Sequence, residues 1–255
     1  MPKNSISKRF SRFSFRHYLE NILVNDTNIE QLFLLEEFIE GDEYSVEGIC
    51  TKEEVLVIGI CQKRGLHIEN GIRSEGVNFS PILDKSREIF LKDMAKSAVK
   101  AVGMMNTAFH IELRWDKNKN KPRVIEINPR LPGGLLCRLH KEINRIDLPE
   151  LLIKISLGED LPKGVPEPLQ GVFGDLPIPC FKSGVYNGYK LPENNEYSYM
   201  INDAEIDIVE FTQKGTILNI GDKEVYYAHA FIHAPNHKVL FDAANWSMNV
   251  SPIFI

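Results

Sequence analysis

The clearest pattern in the chain is a pair of alternating segments, residues 110–115 and 124–130. In the first segment a histidine, a glutamate and an arginine alternate with apolar residues, and in the second Glu126 and Asn128 alternate with isoleucines. Alternation with a period of two predicts strands that have one polar and one apolar face. The intervening stretch, residues 116–122, is short and polar, so the sequence predicts an antiparallel hairpin.

Such a hairpin brings Glu112, Glu126 and Asn128 onto one surface. Two carboxylates and an amide oxygen are hard ligands that suit Mg²⁺, which completes its shell with waters and nucleotide phosphates. An ordinary half-buried strand pair with one solvated face shows the same alternation, so the hairpin alone leaves both interpretations open. The run from Arg130 to Gly134 favours the first interpretation, because glycines beside an arginine let backbone N–H groups approach a phosphate.

The rest of the chain contains further strand and helix patterns. Strands rich in β-branched and aromatic residues are predicted at residues 33–39, 43–50 and 54–61, with a turn at 40–42. The clearest helix covers residues 86–102, and its apolar stripe is predicted to consist of Ile89, Phe90, Met94, Ala98 and Val102. Shorter helices are predicted at residues 134–144, 148–157 and 237–249.

The composition and charge of the chain argue against several classes of function. The chain has 255 residues, 43% hydrophobic and 25% charged, which is enough for one large domain or two modest ones. Its net charge of -5 argues against a nucleic-acid partner. No run reaches the about 18 apolar residues of a membrane span, so no membrane partner is expected. Four widely spaced cysteines without a C-x-x-C motif predict reduced thiols and a cytoplasmic location.

Three blocks stand in a recognisable order around the long helix: LEEFIEGDEYSVEG at residues 35–48, HIELR at 110–114 and VIEINPRLPGG at 124–134. Together they resemble the C-terminal half of an ATP-grasp ligase, in the carboxylate-amine ligase branch that includes L-amino acid and dipeptide ligases. The resemblance runs from Leu35 to about Gly158. It implies an α+β fold, with an antiparallel sheet, packed helices and a small β-rich C-terminal subdomain. The implied domains are a lid remnant at 1–33, a nucleotide- and Mg-binding core at 34–160 and the β-rich subdomain at 165–255.

The resemblance also implies a nucleotide-binding set. The segment Glu36, Glu37, Phe38 and Ile39 resembles the hinge that meets adenine through backbone groups and an apolar side chain. Glu43 matches the acidic residue that accepts hydrogen bonds from the ribose hydroxyls, for which a carboxylate offers two oxygens. A solvated glutamate at a strand edge is the structural alternative for Glu43.

A second implied set holds metal and phosphate. Glu112 and Glu126 match the metal-binding carboxylates, with Asn128 as a third ligand, and the cofactors implied are ATP and Mg²⁺ or Mn²⁺. Arg130 matches the arginine that contacts the transferred phosphate, for which a planar fork of donors is suited.

The glycines and two charged residues complete the implied catalytic region. Gly133 and Gly134 would let the loop approach the intermediate. Glu47 and Arg114 would orient the acceptor or balance the carboxylates, and a structural ion pair is an equal alternative for both.

No catalytic or metal-binding role is predicted for the histidines. His110 is interpreted as a hydrogen-bonded structural residue, with substrate contact as the alternative. His229 and His233 share a face of a predicted strand without a nearby acid, so no metal site is predicted there. Residues 67–73 are interpreted as a loop near the amino-acid substrate.

The implied reaction is ATP-dependent ligation of a small carboxylate and an amine, both amino-acid-like, through an acyl-phosphate. A carboxylase-like or carbamoyl-phosphate-type ligase and a non-catalytic nucleotide-binding or interaction subunit are the alternatives. The chain begins beyond the point where the family has its N-terminal domain and glycine-rich lid. Three explanations are considered: a truncated form, a split enzyme in which a separate chain supplies those domains, and a degenerate homologue that only binds.

Overall fold

The computed structural model describes residues 36–69, 72–179, 183–189, 198–219, 226–248 and 252–254. The chain divides into two compact units, Met1–Phe38 with Ile220–Lys223 and Ile39–Asn219 with Glu224–Ile255. Of the first unit, residues 36–38 are described, and they form no helix or strand. The lid remnant predicted at residues 1–33 lies outside the described residues.

The second unit contains the regular structure of the described residues. Its strands are β1 Glu43–Cys50, β2 Val55–Glu69, β3 Ile72–Phe79, β4 Thr107–Asp116, β5 Lys121–Asn128, β6 Val172–Pro179, β7 Gly184–Tyr189, β8 Ser198–Ile201, β9 Ala204–Glu210, β10 Ile217–Leu218, β11 Tyr226–Ala234 and β12 Pro252–Phe254. Its helices are α1 Lys85–Ala101, α2 Leu136–Asn144, α3 Leu148–Ser156 and α4 His237–Met248.

The described strands form one nine-stranded sheet in the order β5-β4-β1-β2-β3-β6-β11-β9-β8 and one small sheet in the order β10-β7-β12. Neighbouring strands are antiparallel, and helices pack on the large sheet. The predicted α+β fold is therefore confirmed. Because β6, β11, β9 and β8 extend the sheet that begins with β5, these four C-terminal strands share a sheet with the core. The predicted domain boundaries stay a prediction.

Strand β1 lies in the middle of the core half of the sheet and is buried on both faces. On one face, Val46 packs with Ile111 and Leu113 beneath α1. On the other face, Ile49 and Ala108 pack beneath α3. Apolar side chains on both faces are expected of a strand that is covered by helices on both sides.

The helix predicted at residues 86–102 is confirmed within one residue, but its predicted buried stripe is right only at Ala98 and, in part, at Met94. Helix α1 buries Leu91, Ala95, Ala98 and Val99. Of the predicted stripe, Ile89, Phe90 and Val102 are exposed, whereas Met94 is partly buried against the core. The sequence carries two overlapping apolar stripes, and the one with two alanines lets the helix lie close to the sheet. Its N-terminus is capped by Asp84, which accepts a hydrogen bond from the Arg87 N–H at 2.8 Å.

Two other local predictions need correction. The described part of the predicted strand 33–39, residues 36–39, forms no regular secondary structure. The turn that follows, residues 40–42, accepts two backbone hydrogen bonds from the β4–β5 hairpin: Trp115 N–H donates to Asp42 O at 2.8 Å and Lys117 N–H donates to Glu40 O at 3.0 Å. The segment 67–73, interpreted as a loop, is mostly strand, since Glu69 at the end of β2 pairs with Ile72 at the start of β3.

Among the described residues, no helix combines the length and apolarity that crossing a membrane requires.

Candidate functional site

The β4–β5 hairpin forms as predicted, and its register sets the site. Glu112 pairs directly with Glu126, and His110 pairs with Asn128. Directly opposite residues in an antiparallel pair point to the same face of the sheet, so the three candidate metal ligands share one surface. The register shifts next to Glu112, where Ile125 is an extra residue on β5. A bulge of this kind bends its strand locally, and the Glu112–Glu126 pair beside it is intact.

The neighbouring strand β1 adds a row of polar side chains to the same face. Its register places Ser45 opposite Glu112 and Glu47 opposite His110. Along this face the environment changes from apolar, where Ile49 lies beneath α3, to fully polar at the other end of the strand. The helix coverage thus ends where the candidate site begins.

Glu47 is a fully buried carboxylate on this polar face. It has no exposed surface, and its two oxygens accept hydrogen bonds from His110 Nδ1 at 2.8 Å and from His140 Nε2 at 2.9 Å. The other nitrogen of His110 donates to Glu112 Oε1 at 3.3 Å. A chain of hydrogen bonds therefore runs from helix α2, which carries His140, to the candidate metal ligand Glu112. Glu47 can influence a substrate only through these histidines, and its predicted catalytic role stays a prediction.

Burial and hydrogen bonding set the charges of the residues in this series of hydrogen bonds. Burial raises the pKa of Glu47, but hydrogen bonds from His110 and His140 outweigh it and lower that pKa to about 2. Burial lowers the pKa of His110, but bonds to Glu112 and Glu47 raise it to about 9. The hydrogen bond from His110 also lowers the pKa of Glu112. His110 is therefore cationic near neutral pH and lies between two carboxylates.

Cys61 adjoins this network, and the ligand atoms of Glu47, Cys61 and His140 lie within 4.8 Å of one another. Burial is the main reason that the pKa of the Cys61 thiol lies well above its ordinary value, so the sulfur stays protonated. Both oxygens of Glu47 are already occupied by histidines. The cluster is part of the buried hydrogen-bonded network that adjoins the candidate site.

Glu43 and Arg114 pair with each other at the open end of the face. The other oxygen of Glu43 lies 3.3 Å from Lys63 Nζ, and Arg114 also donates to the carbonyl oxygen of Ile39 at 3.2 Å. The sequence analysis weighed a structural ion pair for Arg114, and this pair is present. The ribose role predicted for Glu43 stays a prediction, and Lys63 is a positive residue of the site that the sequence analysis missed.

The loop after β5 carries Arg130 and the two glycines, and the glycines differ in what they require. Gly134 has a φ of +58°, and a Cβ there would lie 2.5 Å from Asp175 Oδ2. Gly133 has open space around it. Gly134 therefore has to be glycine for backbone and packing reasons, whereas Gly133 is unobstructed.

A cavity of about 220 Å³ joins these groups. Glu112, Arg130, Gly133 and Gly134 line one part of it, together with Glu43 and Lys63. Another part is lined by residues from the C-terminal strands, including Asp175 of β6 and His229 of β11. His229 Nδ1 lies 2.6 Å from Asp175 Oδ1, so the expectation that His229 has no nearby acid is wrong.

The residues around Asn128 fit a divalent cation. Its side-chain Nδ2 is buried and has no hydrogen-bond partner among the described residues. Because the two ends of an amide are exchanged by a half turn, Asn128 can present its oxygen to a cation on this face. Glu112 is held ionised and Glu126 is exposed on the same surface. Two carboxylates and an amide oxygen are the donor set that Mg²⁺ prefers.

The predicted adenine hinge is described in part. Residues Glu36 to Phe38 belong to the first compact unit and Ile39 to the second. Phe38 is 78% exposed, and Ile39 supplies the carbonyl oxygen that Arg114 binds. The contact with adenine stays a prediction.

Comparison with known proteins agrees with the family resemblance. The family model of the ATP-grasp domain matches residues 11–138, which is half of the chain. Alanine–anticapsin ligase of Bacillus amyloliquefaciens is 30% identical over 167 residues, which cover 59% of this chain and 34% of that protein. The chain thus spans about a third of the length of this curated relative.

Solved structures show the same fold at lower identity. An L-amino acid ligase from Bacillus licheniformis aligns with 86% of this chain and 53% of its own, at a TM-score of 0.66 and 22% identity. The biotin carboxylase domain of Hydrogenobacter thermophilus 2-oxoglutarate carboxylase, in complex with MgADP, ADP and bicarbonate, aligns with 85% of this chain and 48% of its own, at a TM-score of 0.62 and 18% identity.

Proposed function

Because the chain belongs to the ATP-grasp family, we propose that its polar sheet face binds ATP with Mg²⁺ or Mn²⁺ and joins a small carboxylate to an amine. The observation that carries the proposal is the direct pairing of Glu112 with Glu126, beside Asn128 and in the same region as Arg130. The amino-acid ligases among the similar proteins support amino-acid-like substrates.

Each residue of the polar sheet face has a role that follows from the chemistry of its side chain. Glu112, Glu126 and Asn128 hold the cation, which when bound neutralises phosphate charge during phosphoryl transfer. His110 fixes the position of Glu112 through its hydrogen bond. Arg130 binds the transferred phosphate through a planar fork of donors.

The phosphorylated carboxylate is an acyl-phosphate, which an amine can attack at its carbonyl carbon. The loop at Gly133 and Gly134 brings backbone N–H groups close to this intermediate, since neither residue has a side chain in the way. Glu43 can accept from ribose hydroxyls while paired with Arg114, because a carboxylate has about four lone-pair sites. The role of Arg114 is to hold Glu43 in place.

The proposal predicts that ADP release depends on both a carboxylate and an amine. The assay supplies ATP, Mg²⁺ and the twenty standard amino acids singly and in pairs. The variant Glu126→Gln keeps the size of the side chain but removes its charge, and we expect a loss of about a hundredfold or more in ADP release. Glu53→Gln, in the exposed turn between β1 and β2, is the matched control and should leave the rate unchanged.

Calorimetric titration with MgATP separates binding from turnover. Nucleotide binding without ADP release for any pair would reject ligation and favour a nucleotide-binding subunit. ADP release that depends on bicarbonate instead of an amine would identify the carboxylase-like alternative.

A further inference from the structure

The cavity contains an acid–base pair that the proposed phosphoryl-transfer residues do not use. Asp175 lies on β6 and His229 on β11, and the two strands are neighbours in the sheet. Asp175 is 1% exposed and His229 is 7% exposed, so both are shielded from bulk water while they line the cavity. A histidine that is bonded to a carboxylate at a cavity wall is a candidate for proton transfer.

The hydrogen bond between them sets the tautomer of His229. Asp175 Oδ1 lies 2.6 Å from His229 Nδ1, and an ionised carboxylate can only accept a hydrogen bond. Nδ1 therefore carries a proton, and in the neutral ring Nε2 has a lone pair. No hydrogen bond to Nε2 of His229 occurs among the described residues.

Asp175 also joins the pair to the glycine loop. Its other oxygen, Oδ2, accepts a hydrogen bond from the backbone N–H of Leu135 at 2.9 Å. Gly134, the preceding residue, lies so close that a Cβ would be 2.9 Å from His229 Cε1. The loop that is proposed to approach the acyl-phosphate and the imidazole of His229 are thus fixed against each other.

The other histidines with described side chains are differently placed. His110 has both ring nitrogens bonded to carboxylates. His140 is 1% exposed and bonds Glu47. His233 stacks on Phe173 and His237 Nε2 bonds the carbonyl oxygen of Ser80, and neither of them nor His140 lines the cavity. Among these histidines, His229 alone combines a cavity position, one nitrogen bonded to an acid and a second nitrogen without a hydrogen bond to a described residue.

Resting on the proposed ligase function, we propose that His229 is the general base that accepts a proton from the attacking amine, with Asp175 as its positioning residue. The amine nitrogen forms a bond to the carbonyl carbon of the acyl-phosphate. The bond from that carbon to the phosphate oxygen breaks, and phosphate leaves with the electron pair. The proton of the amine passes to Nε2 of His229. Asp175 stabilises the imidazolium that results. This places the acceptor amine at the β6–β11 end of the cavity.

Hydroxylamine separates this step from acyl-phosphate formation, because it is a strong nucleophile that is neutral near pH 7 and attacks an acyl-phosphate without a base. In the variant His229→Asn we expect amino-acid ligation to fall by about 10²- to 10⁴-fold, the usual contribution of general base catalysis. Hydroxamate formation from ATP, the carboxylate and hydroxylamine should stay at the wild-type rate. The matched control is His233→Asn, on the same strand, which should change neither rate.

Asp175→Asn tests the positioning role, since the amide keeps the shape and loses the charge. We expect it to lower ligation selectively as well. The ¹⁵N chemical shifts of the wild-type His229 ring give a readout that needs no turnover, and they should report a proton on Nδ1 and none on Nε2. A proton on Nε2 would overturn the inference.

The outcomes distinguish the two proposals. If wild-type protein makes hydroxamate and His229→Asn ligates amino acids at the wild-type rate, the general base is wrong and the ligase stands. If His229→Asn lowers both rates equally, its role is structural and the inference fails. If wild-type protein makes no hydroxamate with any carboxylate, the ligase proposal fails and the inference fails with it.

Discussion

At the scale of residues, the site combines groups of two origins. Glu112, Glu126 and Asn128 come from one hairpin, so their alternation alone predicted a shared face, and the register confirms it. Glu47, His140, Asp175 and His229 join this region from β1, α2, β6 and β11. No local pattern connects an acid at 175 with a histidine at 229, and this is why the sequence analysis assigned His229 no acid.

A pH-dependent stability follows from His110. Its pKa of about 9 lies above the unfolded value of 6.5, so the stabilisation is complete below pH 6.5 and is lost as pH rises through 9. The pKa values of Glu47 and Glu112 are lowered, so both carboxylates stay ionised in this window. We expect wild-type protein to lose on the order of 2–3 kcal/mol of unfolding free energy between pH 6.5 and 9.5 through this group.

Urea denaturation at several pH values measures the effect. In His110→Gln the loss should be absent, so the stabilities of wild type and variant should converge as pH rises. The control is His233→Gln, which removes a histidine that stacks on Phe173. Parallel pH profiles for wild type and His110→Gln would show that the hydrogen bonds among Glu47, His110 and Glu112 do not provide this pH-dependent stabilisation.

At the scale of elements, the sequence predicted where helix α1 lies but not which side faces the sheet. Its apolar residues permit two stripes, and only the contact surface of the sheet chooses between them. The stripe with Ala95 and Ala98 allows the helix to approach closely, so Leu91 and Val99 become fully buried. Helix position is a property of local sequence, whereas the buried face is a property of packing.

Alanine substitutions on α1 distinguish the two stripes. Leu91 is fully buried and Ile89 is 47% exposed, although they are two residues apart. We expect Leu91→Ala to lower the unfolding free energy by about 2–5 kcal/mol because it leaves a cavity. Ile89→Ala should change it by about 0.5 kcal/mol or less. Equal losses in urea denaturation would contradict this assignment of the buried face, and a larger loss for Ile89→Ala would mean that the helix packs with the face that the sequence pattern suggested.

At the scale of the whole molecule, the large sheet connects the core to the C-terminal strands. Strand β3 pairs with β6 through Asn78 opposite Asp175, so the sheet is continuous from β5 to β8. The cavity is lined from both parts, with Glu112 on one side and His229 on the other. The cytoplasmic location inferred from composition stays a prediction.

A continuous sheet predicts that the two parts unfold together. The chain has two tryptophans, Trp115 in β4 and Trp246 in α4, which report on the core and on the C-terminal part separately. The variants Trp246→Phe and Trp115→Phe each retain one reporter. In each variant, the urea midpoint measured by tryptophan fluorescence should equal the midpoint measured by far-UV circular dichroism.

A fluorescence midpoint that departs from the dichroism midpoint in either variant would contradict cooperative unfolding. It would also support the separate β-rich subdomain at 165–255. Comparison within each variant serves as the control, because either substitution alone can shift overall stability.

The sequence by itself determined the strands β1, β4 and β5, the four helices, the polar face of the β4–β5 hairpin and the family to which the chain belongs. These depend on alternation, helical periodicity and short motifs, which act over a few neighbouring residues. The tertiary structure decided the buried face of α1, the burial of Glu47 between two histidines and the meeting of Asp175 with His229. Those contacts join residues 63 to 93 positions apart in the Glu47 network and 54 apart in the Asp175 pair, and only the order and register of the strands bring them together.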